Sequence, residues 1–262
     1  MRENYRRRED RQVEEIEGQL EGRNALTEAL KSGRTIDKVF IASGETDRGL
    51  QRLAAQAKEA GAVVVPVDRR KLDAMSVTHS HQGVIALAAA RAYFTIDDIL
   101  QEAADRGEAP LIVICDELSD PHNLGAILRS AECAGAHGII IPKRRSVGLT
   151  AVVAKASAGA VEYMKVARVT NINAAMEELK QKGVWIFGTA AEGSVPMYQA
   201  DLTGPTAIVI GSEGDGMSRL VRQNCDVTVH IPMKGRISSL NASAAASILV
   251  YEAVRQRLNK EG

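Results

Sequence analysis

The sequence predicts an α/β protein with a mostly parallel sheet, and three observations carry that prediction. Five short apolar runs lie at residues 111–115, 138–141, 184–187, 207–210 and 227–231. Uninterrupted runs of this length fit strands buried on both faces. Helical periodicity fills residues 124–134, 174–182 and 242–257, as expected of the elements that join parallel strands. A smaller alternation of strand-like and helix-like segments precedes residue 93, which points to a second packed unit. Pattern alone makes the larger unit a doubly wound sheet, since connections rarely thread through loops.

Taken in order, residues 1–17 begin Met1-Arg2-Glu3-Asn4-Tyr5-Arg6-Arg7-Arg8-Glu9-Asp10-Arg11. The arginines suit an RNA-binding arm, but the interleaved acids favour a solvated, charged tail. Residues 18–92 form the small unit, with helices at 24–30 and 48–60 and strands at 38–42, 62–67 and 84–88. Residues 93–109 are mixed in polarity, with one helical stretch at 96–104, as in a linker between two cores. Residues 110–262 hold the five apolar runs. The last helix carries Ala242, Ala244, Ala245, Ala246 and Ala253, so another helix or a second copy can approach it closely.

A chain of 262 residues with 45% hydrophobic content can bury both cores. Its 33 basic and 33 acidic residues cancel, so nucleic acid would have to meet a local patch rather than a general positive field. Cys115, Cys133 and Cys225 are odd in number and widely spaced, which suits reduced, buried thiols of a cytoplasmic protein. No apolar segment approaches membrane-spanning length, and the N-terminus lacks the apolar core of an export signal, so a soluble protein is expected. His79 and His81 lack a third ligand nearby and read as surface or RNA-facing residues; His122, His137 and His230 are scattered singly. No metal site is expected.

Three blocks concentrate polar and glycine residues. The first is Asp120-Pro121-His122-Asn123-Leu124-Gly125-Ala126-Ile127-Leu128-Arg129-Ser130-Ala131; by itself it reads as a capped helix start with a surface arginine. The second, Gly211-Ser212-Glu213-Gly214-Asp215-Gly216, follows an apolar run. It lacks the Lys-Ser or Lys-Thr pair of a P-loop and the glycine spacing of a dinucleotide fingerprint, so ATP and NAD fit poorly. Its glycines still let backbone approach an adenosine-bearing ligand. The third runs from Ile231-Pro232-Met233 through Gly235 to Ser239-Leu240-Asn241 and a small-residue helix. Ser239 or Asn241 is a natural N-cap, and helix-start amides are available to ligand oxygens.

In this order the three blocks resemble the motifs of the SpoU family of RNA ribose 2′-O-methyltransferases, within the SPOUT superfamily. The resemblance implies a SPOUT-type α/β catalytic domain with a deep C-terminal trefoil knot, in place of the doubly wound sheet. It also implies that residues 18–92 are a ribosomal-protein-like RNA-binding domain and that the chain is a homodimer through its knotted domain. S-adenosylmethionine is the implied cofactor, with no metal. Thr189, Gly211, Ile231, Met233 and Leu240 fall at cofactor positions, and Asn123, Arg129, Glu213, Ser239 and Asn241 at the reaction site. A guanidinium stays protonated, so Arg129 is expected to orient the ribose and stabilise a developing oxyanion rather than act as a base.

Lys143, Arg144 and Arg145, with Lys155, Lys234 and Arg236, are the candidate RNA contacts; such a cluster alone can be a solvated loop. Aromatic residues make up 3% of the chain, too few for a stacking platform, so backbone and shape recognition with one extruded nucleotide is expected. The implied activity is methylation of a guanosine ribose in 23S ribosomal RNA. A guanosine of transfer RNA, or a non-catalytic RNA-binding ribosome assembly factor that keeps the fold, are the alternatives.

Overall fold

The computed structural model describes residues 16–44, 47–190, 195–212, 214 and 216–261. The N-terminal unit runs β1 (Gln19–Glu21), α1 (Arg23–Lys31), β2 (Ile36–Ala42), α2 (Arg48–Glu59), β3 (Val63–Val67), α3 (Arg69–Met75) and β4 (Val84–Ala88). Its sheet has the order β1-β4-β2-β3, with β2 and β3 parallel and the other pairs antiparallel. Asp47 and Asp68 start α2 and α3 by accepting the Leu50 and Arg70 amides, and Leu26, Val39, Leu50, Leu53 and Val84 fill the core. The short β1 and α3 escape periodicity because neither spans enough residues to show it.

The C-terminal unit follows as α4 (Ile96–Arg106), β5 (Leu111–Cys115), α5 (Pro121–Cys133), β6 (Gly138–Pro142), α6 (Ala151–Ala156), β7 (Val166–Val169), α7 (Ile172–Gln181), β8 (Trp185–Thr189), β9 (Val195–Pro196), β10 (Thr206–Ile210), α8 (Arg219–Gln223), β11 (Val227–His230) and α9 (Ala242–Glu261). Its sheet is parallel throughout, in the order β7-β6-β5-β10-β8-β11-β9. The first three positions wind as in a doubly wound sheet. Beyond them β10 lies between β5 and β8, and β11 between β8 and β9, which corrects the doubly wound order read from pattern alone. Apolar runs report which segments are strands, not which neighbour each one takes.

Successive strand side chains alternate faces, and β5 shows it. Leu111, Val113 and Cys115 share one core with Leu124, Ile127 and Leu128 of α5 and with Ala246, Leu249, Val250 and Ala253 of α9. Ile112 and Ile114 share the other with Ile99 of α4, Met176 and Leu179 of α7 and Val221 of α8. The stretch expected as a linker thus contributes a packed helix. Thr95 and Asp98 form a capping box at its start, and a Cβ on Gly138 would lie 2.5 Å from Ile99, so α4 sits directly on the sheet.

Polar groups, some of them buried, join the two units. Glu162 accepts Arg34 Nη1 at 2.9 Å and Arg91 Nη1 at 3.2 Å with its own side chain only 2% exposed. Tyr163 Oη donates to Glu28 at 2.7 Å. Lys155 Nζ donates to Thr78 Oγ1 at 3.0 Å and to the Ser80 carbonyl at 2.5 Å, and burial holds its ammonium below the ordinary lysine value. Beside it, Glu21 is fully buried. Its carboxylate accepts Gln19 Nε2 (2.7 Å), Ser76 Oγ (2.6 Å), the Val77 and Thr78 amides (2.7 and 3.1 Å) and Thr78 Oγ1. Burial pushes this carboxyl up, yet the hydrogen bonds from Ser76, Thr78, Val77 and Gln19 outweigh it and hold it below the ordinary glutamate range.

Two expectations need correcting. His81 is buried: its Nε2 meets Asp73 at 2.9 Å and its Nδ1 accepts the Gly83 amide at 3.0 Å, a structural role, while His79 is exposed. Of the cysteines, Cys115 is buried but Cys133 is exposed and Cys225 partly so, because Cys133 lies on the outer face of α5. Among the described residues no helix is long and apolar enough to cross a membrane, and no group of three or more His, Cys, Asp or Glu could hold a metal.

Candidate active site

Parallel strands put all their C-terminal ends on one edge, and the loops leaving that edge are where such sheets bind ligands. Gly211 follows β10, Thr189 closes β8 and Ile231 follows β11. Val209 pairs with Gly188, and Val229 with Thr189. Three of the five expected cofactor positions are therefore neighbours on adjacent strands, about 5 Å apart per step.

The loop after β10 is tight. The Ser212 amide donates to the Gly216 carbonyl at 3.0 Å and the Gly216 amide to the Ser212 carbonyl at 3.1 Å. A Cβ on Gly211 would fall 2.1 Å from the Gly216 carbonyl carbon and 2.2 Å from the Met217 nitrogen, so only glycine fits. Asp116, the first residue past β5 and 3% exposed, accepts the Ser218 amide through Oδ2 at 2.7 Å and pins the far end of this loop. Motif reading missed Asp116 as a site-building residue. Its signal was an acid directly after a strand buried on both faces. Glu213, expected at the reaction site, lies outside the described residues.

The first and third blocks meet through a pair of asparagines. Asp120 caps α5 by accepting the His122 amide, with Pro121 in the first turn. This places Asn123, 4% exposed, on the inner side of the helix. Asn241 Nδ2 donates to Asn123 Oδ1 at 2.9 Å across 118 residues of sequence. The other end of the Asn241 amide accepts the Ser243 amide (2.9 Å), Ser243 Oγ (2.6 Å) and the Ala244 amide (3.2 Å). Asn241 is therefore the N-cap of α9, and Ser239 and Leu240 precede the helix in an exposed loop. Two helical turns on, Ser247 Oγ donates to Ser130 Oγ at 2.7 Å and continues the same seam.

Arg129 stands elsewhere. Six residues beyond Asn123, it is rotated about 120° from the Asn123 face and is exposed, on the same side of α5 as His122. Among the described residues it makes no hydrogen bond or ion pair, so the structure does not tie it to the strand-end loops. Met233 and Leu240 are each 39% exposed and Ile237 73% exposed; apolar side chains left open on one loop suit a surface that something covers. Lys143, Arg144 and Arg145 project from the loop after β6 on the same sheet edge, and Arg145 pairs with Glu117 at 3.0 Å.

This edge fits S-adenosylmethionine on its own geometry: a glycine cradle that a Cβ would fill, beside adjacent strand ends and a loop with open apolar side chains. A parallel α/β domain with such an edge, joined to a second α/β unit, defines a nucleoside-cofactor transferase class. Comparison with known proteins narrows this. The family described as SpoU rRNA Methylase matches residues 110–251, and the domain described as RNA 2′-O ribose methyltransferase substrate binding matches residues 19–94. YacO of Bacillus subtilis, named as a TrmH family tRNA/rRNA methyltransferase, is 49% identical over 236 residues, covering 90% of this chain and 94% of its own. The 23S rRNA (guanosine-2′-O-)-methyltransferase RlmB of Ralstonia nicotianae is 43% identical over 240 residues, 91% and 95% of the two chains. The crystal structure of the SpoU methyltransferase AviRb from Streptomyces viridochromogenes with AdoMet superposes with a TM-score of 0.80 at 27% identity, over 92% of this chain and 90% of that one.

The chain belongs to the SpoU rRNA methylase family, and it is an S-adenosylmethionine-dependent RNA 2′-O-methyltransferase.

Proposed function

We propose that this protein methylates the ribose 2′-hydroxyl of a guanosine in 23S ribosomal RNA, acting in the cytoplasm as a homodimer. The observation that carries the reading is the Asn123–Asn241 hydrogen bond, which locks two blocks distant in sequence together. The RlmB relative supports the 23S guanosine as target. The name of YacO includes transfer RNA as well, and a guanosine of transfer RNA is the second reading.

Thr189, Gly211, Ile231, Met233 and Leu240 would hold the cofactor, largely through backbone groups. When bound, S-adenosylmethionine supplies an electrophilic methyl group on sulfonium. Asn123, Ser239 and Asn241 would line the ribose side, with Glu213 shaping the pocket near the substrate. Arg129 would grip the ribose and an adjacent phosphate through its fork of donors and stabilise charge growing on the 2′-oxygen. The proton then leaves to phosphate or water.

Exposed Ile248, Tyr251 and Leu258 recur along α9 at helical spacing. They support a second copy of the chain on this face, with the outer face of α5 and its Arg129 alongside. Insertion of β10 between β5 and β8 supports the C-terminal knot that the family carries. Residues 18–92 would bind RNA, and Lys143, Arg144 and Arg145 would contact its phosphates.

The test is transfer of labelled methyl from S-adenosylmethionine to 23S ribosomal RNA and transfer RNA transcripts, with ribose methylation mapped by nucleotide. A single modified guanosine in 23S ribosomal RNA is expected. Modification of transfer RNA alone would select the second reading, and cofactor binding with no transfer to any RNA would leave a non-catalytic assembly factor.

A further inference from the structure

We propose that Tyr93 and Arg168 form a clasp that sets the shape of the basic loop 143–149 for RNA phosphate, a role that rests on the reading of this loop as an RNA contact. Arg168 lies on the edge strand β7, and Tyr93 lies on the segment that leads out of the N-terminal unit. The guanidinium carbon sits 5.2 Å from the centre of the Tyr93 ring, a stacked cation–π arrangement. The two side chains hold opposite ends of one loop. Arg168 Nη2 donates to the Lys143 carbonyl at 3.3 Å, where the chain leaves β6. Tyr93 Oη accepts the Leu149 amide at 3.0 Å, one residue before Thr150 caps α6. A Cβ on Gly148 would lie 2.9 Å from the same phenol oxygen, so the ring is packed hard against the loop.

What the clasp holds is charge facing solvent. Lys143, Arg144 and Arg145 are exposed between the two fixed ends, and among the described residues neither Lys143 nor Arg144 pairs with a carboxylate. Long cationic side chains on a loose loop lose much of their binding energy to ordering. Fixing the backbone beneath them in advance removes part of that cost. The clasp is not explained by stability alone, because Arg168 Nε is buried with no hydrogen-bond partner. An apolar side chain could cover Tyr93 without that orphaned donor. Guanidinium is retained where it can stack and reach the Lys143 carbonyl together.

The position of Tyr93 also links the loop to the rest of the molecule. Two residues earlier Arg91 is held by Glu162, so the segment bearing Tyr93 is anchored where the two units meet. RNA lying across the N-terminal unit would meet a basic loop already in register with it.

The experiment measures affinity for 23S ribosomal RNA and transfer RNA transcripts as a function of salt, for the wild type, Tyr93→Phe, Arg168→Met and the triple variant Lys143→Ala, Arg144→Ala, Arg145→Ala. Tyr93→Phe keeps the stack and loses only the Leu149 bond, so it tests the clasp without endangering the fold. S-adenosylmethionine affinity serves as the control for folding. Tyr93→Phe and Arg168→Met are expected to weaken RNA binding about 3- to 10-fold with the salt slope unchanged, because no phosphate contact is removed. The triple variant is expected to lower the slope by about 2 to 3. Wild-type affinity in both clasp variants, against a weakened triple variant, overturns the clasp. A slope lowered by about 1 in Arg168→Met overturns it too, since Arg168 would then touch phosphate itself. An unchanged slope in the triple variant overturns the underlying reading of the loop instead.

Discussion

The junction between the two units and the rim of strand ends draw on the same residue types and use them in opposite ways. At the junction three charges are answered from within: Glu162 by two arginines, Lys155 by Thr78 and Ser80, Glu21 by Gln19, Ser76, Val77 and Thr78. On the rim, Lys143 and Arg144 stand exposed in the loop after β6, and Arg129 stands exposed on the outer face of α5, each without a carboxylate partner among the described residues. Buried polar groups must be satisfied by the chain itself, whereas donors kept open on a stiff scaffold are preorganised for something else. The contrast separates residues that hold the molecule together from those the proposed function assigns to the substrate.

Substitutions at four positions would sharpen or break that contrast. The largest effect is expected at the rim: Arg129→Ala should lower methyl transfer about 10³-fold, near 4 kcal/mol of barrier, with S-adenosylmethionine affinity unchanged. Arg129→Lys should recover little of it, since an ammonium lacks the planar fork. Near-normal turnover in single-turnover assays of either variant would remove Arg129 from the chemistry.

Glu21→Ala should do the reverse, costing about 3 kcal/mol in denaturant unfolding because several buried donors lose their acceptor, while leaving the rim chemistry alone in the folded fraction. The stabilisation from Glu21 also depends on pH in a defined direction. Its folded carboxyl titrates below that of an unfolded glutamate, so the contribution is complete above the unfolded value and disappears as pH falls through the folded one. The stability gap between wild type and Glu21→Gln, followed by denaturation, should shrink on acidification. A gap that widens would contradict the hydrogen-bonded cage.

Gly211→Ala should weaken S-adenosylmethionine about tenfold by calorimetry, because its Cβ would displace the Gly216 backbone. Smallest of all, Glu162→Gln should raise the KM for RNA about threefold and leave kcat in place. It keeps one hydrogen-bonding oxygen for the arginines while removing the charge that orders the junction. A fall in kcat there would mean that junction and rim are not separable.

The longer elements were legible in the sequence. Residues 48–60 and 111–115 were read almost at their observed bounds, because amphipathic period and apolar continuity both come from burial. What escaped was short or non-local. β7 is four residues long and carries Arg168, α8 has five residues, and neither shows a full period. Strand order was illegible because all the strands of the larger sheet look alike to a pattern. The meeting of Asn123 with Asn241 was foreshadowed by family resemblance, not by spacing. The burial of His81 was hidden by an exposed neighbour, His79, on a turn where the left-handed His79 and Gln82 break the alternation.

The position of β10 has a consequence for how the molecule is made. β5 finds its partner Thr206–Ile210 about ninety-five residues downstream, whereas the N-terminal sheet closes from strands already synthesised. At translation rates of about 5–20 residues per second, a nascent chain displays one apolar edge of β5 for on the order of ten seconds before its neighbour emerges. Long-range pairing of this kind is slow and prone to aggregation. Growth temperature and chaperone supply should therefore govern the yield of this protein more than they govern the activity of molecules already folded.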